Sequence, residues 1–297
     1  MLPPDEFIIF VFCCITDRLD ALTEGNPLRK RGFHPALTDP EVITMEIVGE
    51  FLGIDTDKGI WEYFRRHWGH FFPALGCRTT FARQAANLRY CKIMLREKIA
   101  EELGAVTNPV HIVDGFPMPV CNIKRAFSSK NFQGDAAYGF CASKGEKYYG
   151  FEGHLLIDSS GVITSCTLAA ANIDEREALP ELLPGIQGPL IGDKGYISSV
   201  LHQNLLNEGV NLRTSLRKNM HDGRSRKYVS KLMSVRRRVE TVIGQLTERF
   251  NIEKIRARDK WHLTSRTARK LLGHTVGILL NRLSGRSNLE FDGLIAA

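Results

Sequence analysis

Three acidic residues are placed where a fold could bring their carboxylates together for chemistry. Asp114 and Asp193 each follow a short apolar run, and a glycine comes one or two residues later. Strand ends of this kind are where α/β sheets commonly place their chemistry, although a lone aspartate there is more often a turn or helix-cap residue. Glu240 lies in a segment whose apolar residues recur every three or four positions, as on an amphipathic helix. Only the three acids together predict a catalytic site.

Three carboxylates suit the transfer of a phosphodiester group. Two divalent cations about 4 Å apart can clamp the attacking and the leaving oxygen of such a group. Mg²⁺ prefers oxygen ligands and keeps several waters, so a few acidic side chains are enough to hold it. One aspartate would bridge both ions, and the other two acids would each hold one. The sequence therefore predicts two Mg²⁺ ions, with Mn²⁺ as the alternative, and water or a 3′-hydroxyl as the attacking group.

The elements that must position these acids follow from local patterns. The first hundred residues predict helices, with a capping box at residues 38–41 and a second helix after Thr80. The later chain predicts strands at 110–113, 189–192 and 210–216, a hairpin of 148–158 and 162–168, a helix over 174–183 and helix again from Ser230. This order predicts a mixed α/β sheet flanked by helices.

The distribution of charge points to a polyanion partner. Residues 211–270 contain eighteen lysines and arginines against five acids, a net +13, so the rest of the chain carries −6 of the total +7. A solvated, highly charged helical surface is the alternative, but a basic region on an acidic remainder favours nucleic acid. The candidate contacts to a phosphate backbone are Lys194, Arg217, Lys218, Arg224, Arg226, Lys227, Arg236 and Arg237.

Several other groups have a structural interpretation that we prefer. Residues 61–72 mix aromatics with arginines, which suits base stacking, but a small helical core needs the same aromatics. His154 lies on the predicted hairpin and could contact the scissile phosphate, but we prefer a structural role for it. Asp158, Asp174 and Glu175 have the pattern of turn or helix-start acids.

Composition excludes several classes of protein. The seven cysteines are scattered and form no Cys-x-x-Cys pair, which argues against a disulfide framework and a structural zinc site. No apolar run is long enough to span a bilayer, and residues 7–14 lack the flanks of a signal peptide. No phosphate-loop motif is present, so we expect no nucleotide cofactor. A cytoplasmic protein with free thiols is expected.

With these motifs in view, the chain resembles bacterial insertion-sequence transposases of the DDE class, which have a ribonuclease-H-like catalytic core. The likeness covers most of the chain, and its motifs are residues 113–115, 149–158, 171–175, 192–196 and 236–241. It implies that Asp114, Asp193 and Glu240 hold the metal ions and that Arg236 contacts phosphate. Met233 and Thr247 stand where related transposases often have tyrosine and lysine, so no terminal-base contact is transferred.

The resemblance also implies a domain plan and an activity. Residues 1–106 would form a helical domain for DNA-end binding or assembly, and residues 107–297 a ribonuclease-H-like domain with a basic helical C-terminal part. The expected activity is cleavage of double-stranded DNA at transposon inverted repeats and strand transfer into target DNA. A homodimer or higher oligomer at the bacterial nucleoid is implied. A nuclease without joining, or an inactive DNA-binding protein, are the alternatives.

Overall fold

The computed structural model describes residues 2–29, 31–142 and 144–295. Its helices and strands, in chain order, are α1 (Pro4–Thr23), α2 (Asp39–Phe51), α3 (Asp57–His67), α4 (Arg78–Asn87), α5 (Arg89–Glu102), β1 (His111–Cys121), β2 (Ala137–Cys141), β3 (Glu146–Asp158), β4 (Ile163–Ala170), α6 (Glu175–Ala178), β5 (Gly188–Gly192), α7 (Ser199–Asn207), β6 (Val210–Thr214), α8 (Arg226–Glu248) and α9 (Lys260–Leu283). Short 3₁₀ turns occupy Ile123–Ser128, Leu179–Leu182, Lys194–Tyr196 and Ile252–Lys254. The chain is therefore a mixed α/β protein, as predicted.

The chain divides into two compact units that alternate along the sequence. The first unit combines Met1–Ile99 with Leu246–Ala297, and the second is Ala100–Gln245. This division differs from the expected boundary at 106/107 because α9 packs against α2 and α4 in the first unit. Much of the basic C-terminal region therefore lies outside the unit that contains the three acids.

In its described part, the first unit is built from helices and one isolated bridge between Leu2 and Ile295. The predicted capping box starts α2: the Thr38 amide donates to the Glu41 carboxylate at 2.6 Å, and the Glu41 amide donates to the Thr38 hydroxyl. The predicted second helix is in fact two helices, α4 and α5, separated at Leu88.

The first unit also contains a fully buried network of charged side chains. Lys92 donates to Glu46 at 2.9 and 3.0 Å, and Lys270 donates to Glu50 at 2.7 Å. Arg269 donates to Glu50 and, at 2.9 Å, to Asp57. The Lys92 pair joins α5 to α2, whereas the Arg269 and Lys270 pairs join α9 to α2 and α3. The α9 pairs explain why the C-terminal helix belongs to this unit. We call these six side chains the buried ion network.

The second unit is a six-stranded mixed sheet with helices. Its strand order is β2-β3-β1-β5-β6, and β4 also pairs with β3. Strand β3 runs antiparallel to β1, β2 and β4, whereas β1, β5 and β6 run parallel to one another. One core cluster forms from the sheet and the segments that pack on it. Its members are Val113, Leu156, Leu190, Val210 and Leu212 of the strands, Leu205 of α7, and Leu179, Leu182, Leu183, Ile186 and Tyr196 of the turns.

Strand β1 is longer than the four residues predicted. It continues through Pro117 and Pro119 because β3 pairs with it along nearly its whole length. On the other edge of β1, strand β5 pairs with His111 and Ile112 alone. Beyond Ile112, this edge of β1 has no strand partner among the described residues. Proline is tolerated on such an edge, where no amide is needed.

The predicted hairpin is confirmed as β3 and β4. Asp158 holds its turn: the carboxylate accepts hydrogen bonds from the amides of Ser160 at 2.9 Å and Val162 at 2.8 Å. Gly161 supplies the positive φ of 95° that the turn requires. Asp158 is thus a turn residue, as expected.

Two further segments differ from the sequence-based expectation. Strand β2 lies between the predicted strands 110–113 and 148–158, where the sequence analysis placed no element, and it pairs with the first five residues of β3. The predicted helix over 174–183 is only a four-residue helix followed by a 3₁₀ turn, since Pro180 interrupts the amide ladder.

Two expectations about the whole chain can be compared with these elements. No helix in the described ranges is long and apolar enough to cross a membrane. No disulfide bond joins any of the seven cysteines, all of which lie in the described ranges.

Candidate active site

The sheet brings Asp114 and Asp193 to equivalent positions on neighbouring parallel strands. Ile112 pairs with Ile191, and each aspartate stands two residues further along the same direction. Adjacent strands lie about 4.8 Å apart, so side chains at paired positions come close on one face. Asp193 is the cap of the turn that follows β5, where its carboxylate accepts from the Gly195 amide. The Gly115 amide donates to Asp114 at 3.0 Å.

Helix α8 adds Glu240 to the two aspartates through Arg236. The Arg236 guanidinium donates to Asp114 at 2.7 Å, lies 3.9 Å from Asp193 and donates to Glu240 one helical turn away. Three acids from three elements thus contact one cation. We call Asp114, Asp193 and Glu240 the carboxylate triad. Their catalytic role is still a prediction, but the close approach that it requires is present.

Burial and mutual repulsion change the titration of this region. Burial raises the pKa of Asp114 to about 6, with help from Asp193 and Glu240 and against the opposing effect of Arg236. Burial disfavours the charge on Arg236, yet Asp114, Glu240 and Asp193 outweigh it and raise the Arg236 pKa. One guanidinium therefore does not neutralise the acids around it.

Two further glutamates belong to this acidic region and were not predicted as site residues. Burial raises the pKa of Glu152 to about 7, and Asp114 and Asp174 add to the effect. Burial likewise raises the pKa of Glu175 to about 7, with contributions from Glu152, Asp193 and Asp114. We call Glu152 and Glu175 the glutamate pair.

Glycines beside the two aspartates make room for the glutamate pair. A Cβ on Gly115 would lie 2.8 Å from Glu152 Oε1, and one on Gly195 would lie 2.5 Å from Glu175 Oε2. The small residues that flank the aspartates in sequence therefore admit two more carboxylates. Asp174 serves as the helix cap, accepting from the Arg176 amide at 2.9 Å, so that role does not fall to Glu175.

Tyr196 closes this region from the core side. Its side chain is fully buried, its hydroxyl has no hydrogen-bond partner in the described chain, and burial and the nearby acids raise its pKa well above the usual value. Glu175 Oε2 is also buried without a partner. An acid between Phe151 and Gly153, in the mainly buried middle of β3, was the signal that could have drawn attention to Glu152.

The donor set suits a hard divalent cation, although its present arrangement is not a metal site. Among the described residues, no group of three or more His, Cys, Asp or Glu side chains is arranged to hold a metal ion. The triad offers only carboxylate oxygens, the ligands Mg²⁺ prefers, and Arg236 already contacts all three as a cation would. These residues therefore fit the expected ion in type and charge.

The predicted phosphate contacts fall into two groups. Those on the surface are Lys194, Arg217, Lys218, Arg226, Lys227 and Arg237. Arg236 and Arg224 instead have acidic partners: Arg224 donates to Asp222 through two nitrogens at 2.8 Å each. The basic count in the sequence therefore overstates the charge available to DNA, since Arg269 and Lys270 are also buried against acids.

The remaining candidates take structural positions. His154 is fully buried on β3, and burial lowers its pKa to about 4. In the aromatic segment 61–72, Phe64 and Phe72 are buried with ring centroids 5.0 Å apart, whereas Arg65 lies over Trp61 at 4.9 Å. This packing favours the core interpretation that we preferred.

The fold and the site together define a class of protein: a mixed α/β chain with an acidic, cation-attracting site where the parallel pairing of β1 and β5 ends. Asp114 therefore lies within β1 and not, as predicted, at the end of a strand. A family model described as "Transposase DDE domain" matches residues 104–260, more than half of the chain. The chain therefore belongs to the DDE transposase family. Members of this family act in DNA recombination and transposition and generally depend on divalent metal ions.

Two further comparisons add little to this assignment. No curated protein matches the chain. A cryo-EM structure of a piggyBac transposase synaptic complex with hairpin DNA aligns over 98% of this chain and 78% of its own, with 10% identity and a TM-score of 0.45. The assignment rests on the family match.

Proposed function

We propose that this chain cleaves DNA at the ends of a transposable element and joins the freed strand to target DNA, with the carboxylate triad as its metal-holding acids. The observation that carries the proposal is the convergence of Asp114, Asp193 and Glu240 on the Arg236 guanidinium. The strand order supports a ribonuclease-H-like core for the second unit, since antiparallel β4, β3 and β1 are followed by parallel β5 and β6.

The chain's own residues would orient the reacting group. Bound Mg²⁺ or Mn²⁺ would supply activation of the attacking oxygen and charge neutralisation. The Gly115 and Gly195 amides donate to Asp114 and Asp193 and would orient these two carboxylates toward the ion. Arg236 would shift from its carboxylate partners to a phosphate oxygen, and exposed Lys194 and Arg237 would hold the neighbouring backbone.

The wider expectations are part of the same proposal. We propose a bacterial insertion sequence as the source, the nucleoid as the place of action, double-stranded terminal repeats and target DNA as substrates, and a dimer or larger oligomer as the active form. The helical first unit would bind DNA ends or other subunits. A nuclease without joining and an inactive DNA-binding protein are the alternatives that the following experiment separates.

The experiment uses supercoiled plasmid that carries the terminal sequences flanking the gene for this chain. Wild-type protein is compared in Mg²⁺ and in EDTA with Asp193→Asn and with Glu208→Gln, a matched control at an exposed acid of the same unit. Wild type and the control should yield cleaved and joined products in Mg²⁺ only, and Asp193→Asn should yield none while still binding DNA. Cleavage without joining would select the nuclease, and binding without cleavage in Mg²⁺ or Mn²⁺ the inactive protein.

A further inference from the structure

Glu175, the first residue of α6, has a buried carboxylate oxygen that takes part in no hydrogen bond. This oxygen, Oε2, is shielded from solvent and has no partner among the described residues. The capping role at this helix start belongs to Asp174, which accepts from the Arg176 amide at 2.9 Å. Unsatisfied buried oxygens are rare in folded proteins and often mark a catalytic or ion-binding role. The position of Glu175 Oε2 therefore calls for a functional explanation.

Glu175 and Asp193 face one common point beside Gly195. From the position that a Cβ of Gly195 would take, Glu175 Oε2 is 2.5 Å away and Asp193 Oδ1 is 3.4 Å away. The second oxygen of Asp193, Oδ2, lies 3.9 Å from the Arg236 guanidinium. Asp193 thus has one oxygen near the cation of the carboxylate triad and the other near Glu175. Because residue 195 is glycine, the space between the two carboxylates stays open.

The surroundings of Glu175 are acidic. Its pKa is raised by burial and by four other acids, namely Glu152, Asp193, Asp114 and Asp174. No described residue forms an ion pair with Glu175, since Arg236 pairs with the triad and Arg176 pairs with Asp174. The Tyr196 hydroxyl is also buried without a partner, and after burial Glu175 is the main cause of its raised pKa. A cation bound at this place would relieve the repulsion.

On this geometry, and resting on the proposed function, we propose that Glu175 is a fourth metal-holding carboxylate, which shares one divalent ion with Asp193 at the point that Gly195 leaves open. Carboxylate oxygens are the ligands that Mg²⁺ and Mn²⁺ prefer. Each such oxygen has two lone pairs, so Asp193 Oδ1 can accept from the Gly195 amide and still bind an ion. The alternative is a protonated, structural Glu175 that takes no part in ion binding.

Calorimetric titration of the full chain with Mn²⁺, without DNA, measures this role. Glu175→Gln keeps the shape of the side chain but removes its charge, and it should weaken Mn²⁺ binding about tenfold. Gly195→Ala keeps every charge, but its Cβ would displace Glu175 Oε2 from the common point, so Mn²⁺ binding should again weaken. The matched controls are Glu177→Gln, at an exposed acid of the same helix, and Gly244→Ala, whose Cβ would meet open space. Both controls should bind Mn²⁺ as wild type does.

Glu175→Cys tests direct contact between this position and the ion. Thiolates favour soft ions, so this variant titrated with Cd²⁺ should gain the ultraviolet charge-transfer absorption of a Cd–thiolate bond. Glu177→Cys should show only the background of the seven native cysteines. Adding Asp193→Asn to Glu175→Cys should weaken the binding of Cd²⁺ about tenfold, because both residues hold the same ion.

The outcomes separate this inference from the proposed function. Mn²⁺ binding that is unchanged in Glu175→Gln and Gly195→Ala, or no added absorption in Glu175→Cys, would overturn the role of Glu175. If Asp193→Asn nevertheless loses Mn²⁺ binding, the proposed function stands without a fourth ligand. If wild type binds no Mn²⁺, or Asp193→Asn binds it equally well, the proposed function fails together with this inference.

Discussion

Each of the two units of this chain holds a cluster of charged side chains, but the balance of positive and negative charge differs between the clusters. The buried ion network contains three cations, Lys92, Arg269 and Lys270, and three acids, Glu46, Glu50 and Asp57. A fourth cation, the partly exposed Arg266, also pairs with Asp57. The acidic region of the second unit sets five carboxylates, the triad and the glutamate pair, against Arg236. Each acid of the first cluster has a cationic partner, whereas the second cluster has an excess of negative charge.

We interpret the first cluster as structural and propose that the second one is functional. In the network, burial raises the pKa of Glu46 and lowers that of Lys92, yet each has its partner within 3.0 Å. Burial works against the charge of Asp57 too, but Arg269 and Arg266 outweigh it and lower its pKa. In the acidic region the pKa values of Asp114, Glu152 and Glu175 stay raised. An excess of carboxylates with raised pKa values is expected where a protein binds a cation.

The largest effect should come from unbalancing the network. Glu50→Gln removes one acid from beside Arg269 and Lys270 and leaves a buried positive charge without compensation. We expect the free energy of unfolding to fall by about 3–5 kcal/mol. Denaturant unfolding followed by circular dichroism measures it.

The matched control for this variant is Glu62→Gln. Glu62 forms an exposed i,i+4 pair with Lys58 at 3.5 Å, and its loss should cost less than about 0.5 kcal/mol. Equal losses in Glu50→Gln and Glu62→Gln would contradict the distinction between the two kinds of charge.

A smaller effect should come from the acidic region. Arg236→Gln removes the shared cation, so the carboxylate triad repels itself without relief. We expect the free energy of unfolding to fall by about 1–3 kcal/mol in EDTA at pH 8. Much of this stability should return in Mg²⁺, because the ion replaces the missing positive charge. Thermal unfolding in both buffers measures this, with Arg237→Gln, an exposed neighbour, as the control. A loss that Mg²⁺ leaves unchanged would show that Arg236 acts only through packing.

The smallest effect should be a pH-dependent gain in thermal stability when Glu175 is replaced by glutamine. The pKa of Glu175 is raised from 4.5 to about 7, so the folded chain binds this proton more tightly than the unfolded chain does. The resulting stabilisation is complete below pH 4.5 and is lost as the pH rises through 7. The unfolding temperature of Glu175→Gln should therefore equal that of wild type at pH 4 and lie about 2–4 °C above it at pH 8. A gain of the same size at both pH values would reject the titration account.

The sequence predicted the carboxylate triad because each member lies in a local pattern. Asp114 and Asp193 end apolar runs, and Glu240 follows an apolar stripe of helical period. The glutamate pair depends on longer-range geometry: Glu152 reaches Gly115 only through the β1–β3 register, which places His154 opposite Gly115. No local pattern contains that register, so neither glutamate was predicted.

The division of the chain into two units could not be predicted from local patterns either. The sequence predicted helix from Ser230 onward, but the partners of α9, Glu50 and Asp57, lie more than 200 residues away in the chain. Its buried cations were counted among the basic residues that favour DNA, because sequence does not distinguish a lysine that pairs internally from one that faces solvent. The helical start at Thr38 needed no such information, since its capping box spans four residues.

The most direct test of the central claim is Mn²⁺ binding measured by electron paramagnetic resonance. Free Mn²⁺ gives a strong six-line signal that weakens on binding, so wild type, Asp193→Asn and Glu208→Gln can be titrated without DNA and without any activity assay. Wild type and Glu208→Gln should quench the signal at saturating Mn²⁺, and Asp193→Asn should bind more than about tenfold more weakly. Quenching that is equal in Asp193→Asn and wild type, or absent from all three, would contradict the assignment of the triad as a metal site.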